Sequence, residues 1–353
     1  MGRWHTGRLL SKTAETYPLI HLDTERDQNA IFPIVTDDPC VERMILRLAR
    51  QEAHGAFLME PAPGGDLQAT QFSIPWIGQP IWKRDPVSLD HPFKIAVQGV
   101  SSYFTIPSRG AEDSVQTVSD AIARQKWLSI VTTNGARSIE HCALHLNEDP
   151  PPPMDGEPLG IRNLKPASCK AAGDMFDYLQ SLDSNEENLD SAGSIPYRFP
   201  DVGCEARAHL ACRLLEEHPE FQSYSNSLFK VFADGYPGGF CSPNYTEESL
   251  SFVYHVAPAV VISEAWEYAI LDPTLFDRPV SLDEWLWRFH GERCAVTTMS
   301  TRAYIRRQQI WTTDDSLVET TRTLTDVRNQ LACRVHQQKK WPPYRKCCGD
   351  RST

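Results

Sequence analysis

The sequence predicts an α+β protein in two parts: a smaller β-rich domain, then a domain that mixes helices with strands. Three observations carry this. Residues 56–106 consist of short apolar runs punctuated by Pro and Gly, the pattern of small strands. Pro150 to Pro153 form an unbroken proline run, which is stiff, donates no backbone hydrogen bond and marks a boundary. Beyond it, apolar residues recur at helical spacing and are then followed by two strongly apolar strand-like segments.

The chain has 353 residues, enough for roughly two domains and for a core that needs no disulfide staples. Its net charge of -11 argues against a general nucleic-acid binder, which needs a basic surface to replace counterions. No apolar run approaches the roughly 20 residues of a membrane span. Met1 to Thr24 lacks the apolar core of a secretory signal. The ten cysteines are scattered without a paired framework, so reduced thiols and a cytoplasmic location are expected.

Residues 1–30 are polar and read as an irregular, flexible lead-in. The β-rich domain is placed at 31–148, with a short helix around Pro39 to Arg50, strands at Ala56 to Met59, Phe72 to Ile77, Phe93 to Val97 and Tyr103 to Ile106, a helix over Ser114 to Leu128 and strands at Leu128 to Thr132 and Ser138 to Leu146. The Pro-rich linker is 149–158 and the second domain 159–311. Within it, Ser168 to Leu182 reads as a helix with Ala172, Met175, Phe176 and Leu179 on one face. A helix follows at 202–217, then strands at Leu228 to Ala233, Leu250 to Ile262 and Trp266 to Leu271, and a short aromatic helix at Leu282 to Phe289. Residues 312–353 make a C-terminal helix and polar tail; Asp314 and Asp315 at the start of that helix and Lys339 and Lys340 at its end suit its dipole.

The segment with chemical character is Pro200-Asp201-Val202-Gly203-Cys204-Glu205-Ala206-Arg207-Ala208-His209. Asp201 is a plausible N-cap, which puts Cys204 in the first helical turn. There the unpaired N–H groups and positive dipole end favour a thiolate and could hold an oxyanion. A cysteine on the stripe Cys204, Ala208, Ala211, Leu215 is, taken alone, more often a small buried hydrophobe. His255 is the one ionisable residue in the apolar run Phe252 to Ile262, and Asp272 ends the return strand. A symmetric hairpin centred between Ser263 and Glu264 sets His255 opposite Asp272, with Cβ atoms about 4.5–5.5 Å apart. A core histidine bonded to a carbonyl, with Asp272 opening an Asp-Pro turn, fits those two residues equally well. His209, five residues from Cys204, turns away from it and reads as structural. Arg207 reads as a packing or surface residue.

With these residues the chain resembles the protein-glutaminase family, papain-like deamidases that convert protein glutamine to glutamate. The resemblance lies in Pro200 to His209, in Tyr254-His255-Val256-Ala257, and in Leu271-Asp272-Pro273-Thr274-Leu275-Phe276 leading to Trp285, and it spans roughly 160–290. It implies a papain/transglutaminase-like catalytic domain, Cys204 as nucleophile, His255 as general base and acid and Asp272 as its orienter. It also implies a protein or peptide substrate bearing glutamine, no cofactor, and a pro-region-like role for 31–148. The oligomeric state is not legible.

The function expected is therefore a cysteine-dependent amidohydrolase acting through a thioester. A transglutaminase-like acyltransferase would use the same triad, a cysteine peptidase would cut the main chain, and a catalytically silent scaffold would keep only the fold. His141, Cys142 and His145, and Cys333 and His336, have metal-like spacing but lack a matching second pair, so no metal is expected. Trp76, Trp82, Trp127, Trp285 and Trp287 read as core residues, with Trp266 or Trp285 a candidate wall for an amide pocket.

Overall fold

The computed structural model describes residues 165–234, 238–240, 242–245, 250–263, 268–288, 294–307 and 310–344 and, within 3–145, the helix and strands named below, residues 45–49 and Lys126. The Pro-rich stretch 149–158 and Trp266 lie outside the described residues. The chain divides into two compact units. The first comprises Met1–Gln98, Tyr103–Glu148 and Ala332–Lys339, and the second comprises Gly99–Ser102, Asp149–Leu331 and Lys340–Thr353.

In the first unit, β1 (Arg3–Leu10), β2 (Leu19–Leu22), β3 (Ala30–Pro33), β4 (His54–Pro61) and β5 (Leu67–Ser73) form an antiparallel sheet of order β3-β2-β1-β4-β5. β6 (Trp76–Gly78) joins β10 (Trp127–Thr132) and β11 (Ile139–His145), while β7 (Pro80–Arg84), β8 (Phe93–Val97) and β9 (Tyr103–Ile106) form a third sheet. The helix α1 spans Glu112–Arg124. Residues 3–10 and 19–22 are thus strands, where the sequence reads as irregular. β1 is paired along one edge with β2 and along the other with β4, so ladder hydrogen bonds rather than apolar content hold it. Of its side chains Leu9 is fully buried, against Phe57, Met59, Ile45 and Leu48.

The second unit carries α2 (Cys169–Ser181), α3 (Cys204–Glu217) and a 3-10 turn (Gln222–Ser227), followed by β12 (Leu228–Asp234), β13 (Gly238–Phe240), β14 (Leu250–Ser251), β15 (Tyr254–Val261) and β16 (Tyr268–Ile270). After these come α4 (Leu282–Arg288), β17 (Ala295–Met299), β18 (Ala303–Arg307), β19 (Ile310–Thr313) and α5 (Val318–Gln338), whose last turns fall in the first unit. Its main sheet is antiparallel throughout, in the order β16-β15-β12-β17. Strands β17 to β19 are absent from the sequence reading. Helix α2 starts at Ser168, whose hydroxyl accepts the Ala171 N–H at 3.1 Å.

Alternation along the strands divides the core. Met175, Phe176 and Leu179 of α2 and Ala206, Leu210 and Leu215 of α3 pack with Val260 and Leu271. Phe229, Val231, Ala257, Ala259 and Ile270 instead pack with Trp285 of α4. Each Val, Leu, Ile, Phe or Met among them, when fully buried, contributes about 1.5–3 kcal/mol of transfer free energy.

Two local expectations are corrected. The β15–β16 register pairs Ala259 with Ile270, Val260 with Ala269 and Val261 with Tyr268, two residues away from the symmetric hairpin that would set His255 opposite Asp272. The ladder ends where the Leu271 N–H donates to the Pro258 carbonyl at 2.9 Å, and Asp272 begins a turn. The N-cap of α3 is Gly203, not Asp201. Gly203 adopts φ +74°, and a Cβ there would lie 2.7 Å from Val327 Cγ2. Glycine alone supplies both the left-handed backbone and the close approach of α5.

Gly203→Ala is expected to destabilise the protein by about 2–5 kcal/mol, summing left-handed strain and overpacking. Adding Val327→Ala to that variant should recover part of the loss, read as a positive coupling in a double-mutant cycle of denaturant unfolding.

Candidate active site

Cys204 is the first residue of α3. The first intrahelical bond runs from the Arg207 N–H to the Gly203 carbonyl at 2.9 Å, and no side chain caps the helix from the Gly203 position. The Cys204 N–H therefore has no acceptor within its own helix. The sulfur is buried, in a cluster with Ala208, Phe232, Val256, Met299 and Ala303, against which Tyr254 also packs. Tyr254 and Val256 flank His255 in β15, and α3 packs directly on that strand.

His255 and Asp272 are joined. His255 Nε2 donates to Asp272 Oδ2 at 2.8 Å. The indole N–H of Trp285 donates to the same oxygen at 2.9 Å, and the Thr274 N–H donates to Oδ1 at 3.1 Å. The imidazole stacks on Phe252 with ring centroids 4.7 Å apart, and Trp285 lies 5.5 Å away. Both members of the pair are buried. Burial pushes the Asp272 carboxyl up, but attraction to His255, the bonds from His255 and Trp285, and the Arg207 charge outweigh it and hold the acid below the usual carboxylate range.

The acidic side of Cys204 is a second feature. Glu205, 1% exposed, accepts the Cys204 S–H at 3.5 Å and the Tyr254 hydroxyl at 3.0 Å, both on Oε2. Burial raises its pKa, opposed by its own backbone N–H, Tyr254, Arg207 and Cys204. Arg207 is buried, not on the surface, and its Nη1 donates to the Phe199 carbonyl at 2.9 Å and the Val202 carbonyl at 2.6 Å, so it ties down the loop that delivers Cys204.

His209 stands apart from Cys204. Lys230 Nζ donates to its Nδ1 at 2.6 Å, and its Nε2–H donates to the Asp314 carbonyl at 3.1 Å. Burial and the Lys230 charge lower its pKa to about 3, which keeps it neutral and out of proton transfer at ordinary pH. Cys212, one turn further along α3, is pushed up to about 12 by burial and is inert by that standard.

Trp285 is buried, and its N–H serves Asp272. Trp287 is 65% exposed and so is not the core residue expected. It borders a groove of about 610 Å³ beside the Asp272 turn, lined also by Pro273, Thr274, Arg278 and Arg288; Cys204 and His255 are not among the described residues in its walls. No group of three or more His, Cys, Asp or Glu side chains suited to a metal occurs among the described residues. No helix among them is long and apolar enough to cross a membrane.

Compared with known proteins, residues 172–289 match the sequence model of a family described as Glutaminase, a span that includes Cys204, His255 and Asp272. The resemblance to the protein-glutaminase family holds. Two solved structures agree in fold. Pro-protein-glutaminase is similar with a TM-score of 0.53 at 18% identity, over 70% of this chain and 90% of that one. A mutant of pro-protein-glutaminase gives 0.50 at 19% identity, over the same shares. At such identities the likeness is one of fold: a mixed α+β architecture with an antiparallel sheet, shared with protein-glutaminase structures. No curated protein matches the chain.

The Asp272 environment gives a pH dependence whose sign follows from its depressed pKa. The bonds to the carboxylate stabilise the fold fully above the unfolded-state value, about 3.9, and are lost as pH falls through the lower folded value. Trp285→Phe removes one donor, so it should cost about 1.5–3 kcal/mol at pH 7. It should also flatten the loss of stability below about pH 4, measured by denaturant unfolding across pH 2.5–7.

Proposed function

We propose that the chain is a cysteine-dependent amidohydrolase that converts the side-chain carboxamide of glutamine, in a protein or peptide, to a carboxylate with release of ammonia. The observation that carries this reading is the hydrogen-bonded His255–Asp272 pair, its histidine on the strand against which the Cys204 helix packs, within the segment that matches the glutaminase family model. In it, residues 159–311 form a papain-like catalytic domain, and residues 31–148 form a separate β-rich domain.

The roles follow from which atoms are already engaged. His255 Nε2 is committed to Asp272, so Nδ1 is the nitrogen that exchanges protons with Cys204 and the leaving group. Nδ1 takes the thiol proton. The sulfur forms a bond to the carboxamide carbon, and the carbonyl electron pair moves to oxygen. The Cys204 N–H, at the positive end of α3, donates to that oxyanion. The oxyanion collapses, the C–N bond breaks and His255 gives its proton to the departing amine, leaving a thioester and ammonia. Water then attacks the thioester with Nδ1 as base; the C–S bond breaks, and the thiol is restored beside a new carboxylate. Asp272 stabilises the imidazolium formed in each half-reaction and fixes which nitrogen faces the chemistry.

Incubation with a glutamine-containing peptide is expected to release ammonia and to raise the peptide mass by about one unit per site. Cys204→Ala should abolish both signals. Asp272→Asn should lower kcat by about 10²–10⁴-fold. Peptide cleavage would point to a peptidase, and a mass gain equal to an added amine to a transglutaminase-like acyltransferase. No reaction together with an ordinary alkylation rate at Cys204 would point to a silent scaffold, and each of these three results overturns the hydrolase reading.

A further inference from the structure

The contact between Cys204 and its neighbour in sequence has a chemical consequence. A carboxylate next to a nucleophilic sulfur acts in the direction opposite to a helix N-terminus. It accepts the S–H and so stabilises the thiol, and its charge disfavours the thiolate. Glu205 is sequestered in this position. It is 1% exposed, its Oε2 is 3.5 Å from Cys204 Sγ, and the Tyr254 hydroxyl at 3.0 Å anchors the same oxygen. Tyr254 directly precedes His255, so one residue of β15 positions this carboxylate and the next carries the imidazole.

We propose that Glu205 is a further catalytic residue, a brake that accepts the Cys204 S–H and holds the resting nucleophile as a protonated thiol until His255 removes the proton. The proposal rests on Cys204 being the nucleophile. The proton stays on sulfur at rest because a carboxylate is the weaker base of the two. Activation breaks the S–H···O contact as Nδ1 of His255 takes the proton, and Glu205 remains a carboxylate bonded to Tyr254. Such a thiol is less open to stray electrophiles and oxidants, which react with the thiolate.

The charges that face Glu205 set how strong this brake is. Arg207 on α3 opposes it, and the buried Lys230 of β12 interacts with it at longer range. The hydroxyls of Tyr254 on β15 and Tyr304 on β18 face it as neutral groups, because burial raises the pKa of both well above the ordinary value. The carboxylate is in direct contact with the sulfur.

The test reads Cys204 directly. The full chain is alkylated with iodoacetamide between pH 5 and 10, and modification of the Cys204 peptide is followed by mass spectrometry. The midpoint of the rate profile is the readout, because access to a buried sulfur scales the rate without moving the midpoint. Glu205→Gln keeps the shape of the side chain and removes the charge. Its midpoint is expected to fall by about one unit, equivalent to roughly tenfold faster modification on the acidic limb. Tyr254→Phe removes the anchor that holds the carboxylate at the sulfur, so its midpoint should also fall. A Glu205→Gln midpoint that stays or rises overturns the proposal. If that variant does not fold, Tyr254→Phe decides, and an unchanged or raised midpoint overturns it. Because no turnover is measured, failure here is distinct from failure of the hydrolase reading, which the ammonia and mass assay decides.

Discussion

The second unit is organised by a constraint on one helix: α3 is buried on every side from Cys204 to Cys212. A helix so enclosed cannot send its charged residues to water, and an unpaired buried charge costs several kcal/mol. The polar side chains of this buried stretch therefore reach partners outside the helix, and those partnerships position much of what surrounds it. Arg207 holds the loop carbonyls of Phe199 and Val202, which sets the approach to Cys204. His209 joins Lys230 of β12 to the carbonyl of Asp314. The Asp314 carboxylate in turn caps α5 by accepting the N–H groups of Glu319 and Thr320. Glu205 reaches Tyr254 of β15.

Gly203 belongs to the same constraint from the other side. With the helix enclosed, α5 comes close enough that Val327 leaves no room for a Cβ at the residue before Cys204. The chain turns there through a left-handed conformation and delivers Cys204 at the first helical position with its N–H outside the intrahelical ladder. Packing between two helices thereby fixes the backbone on which the proposed nucleophile stands.

Much of this was legible because it follows from periodicity. The apolar spacing in Ser168 to Leu182 and in 202–217 gave helices within about two residues of their ends, the usual reach of such readings. Cys204 in a first turn, and His255 near Asp272, also followed from the residues. The pairing survived a wrong register for a physical reason. A hairpin shifted by two residues keeps every side chain on its original face, whereas a shift of one would have separated the pair. Other features leave no periodic trace. Glycine at φ +74° looks like any glycine, so Asp201 was the more visible cap. Strands β17 to β19 lack an apolar alternation, and Ala295 and Val296 are exposed. Glu205 drew no reading of its own and Arg207 read as a packing or surface residue, because sequence patterns show which helix faces are apolar, not that every face is covered. The apolar and small residues interleaved with them at Cys204, Ala206, Ala208 and Leu210 were the available signal.

Two buried carboxylates lie close to the proposed chemistry, and their surroundings push them in opposite directions. Asp272 accepts three hydrogen bonds, from His255, Trp285 and Thr274, and beside the imidazole it is held ionised. Glu205, equally buried, has the Tyr254 hydroxyl, its own N–H and a weak thiol donor, and burial prevails. A pair of acids separated in this way is a recurrent means of dividing roles at one site. In the proposed scheme the division follows the proton: Asp272 would stabilise the state in which the proton has moved to His255, and Glu205 the state in which it is still on Cys204. Tyr254 and His255, adjacent in β15, address one acid each: Tyr254 meets Glu205 on α3, and His255 meets Asp272 in the turn after β16.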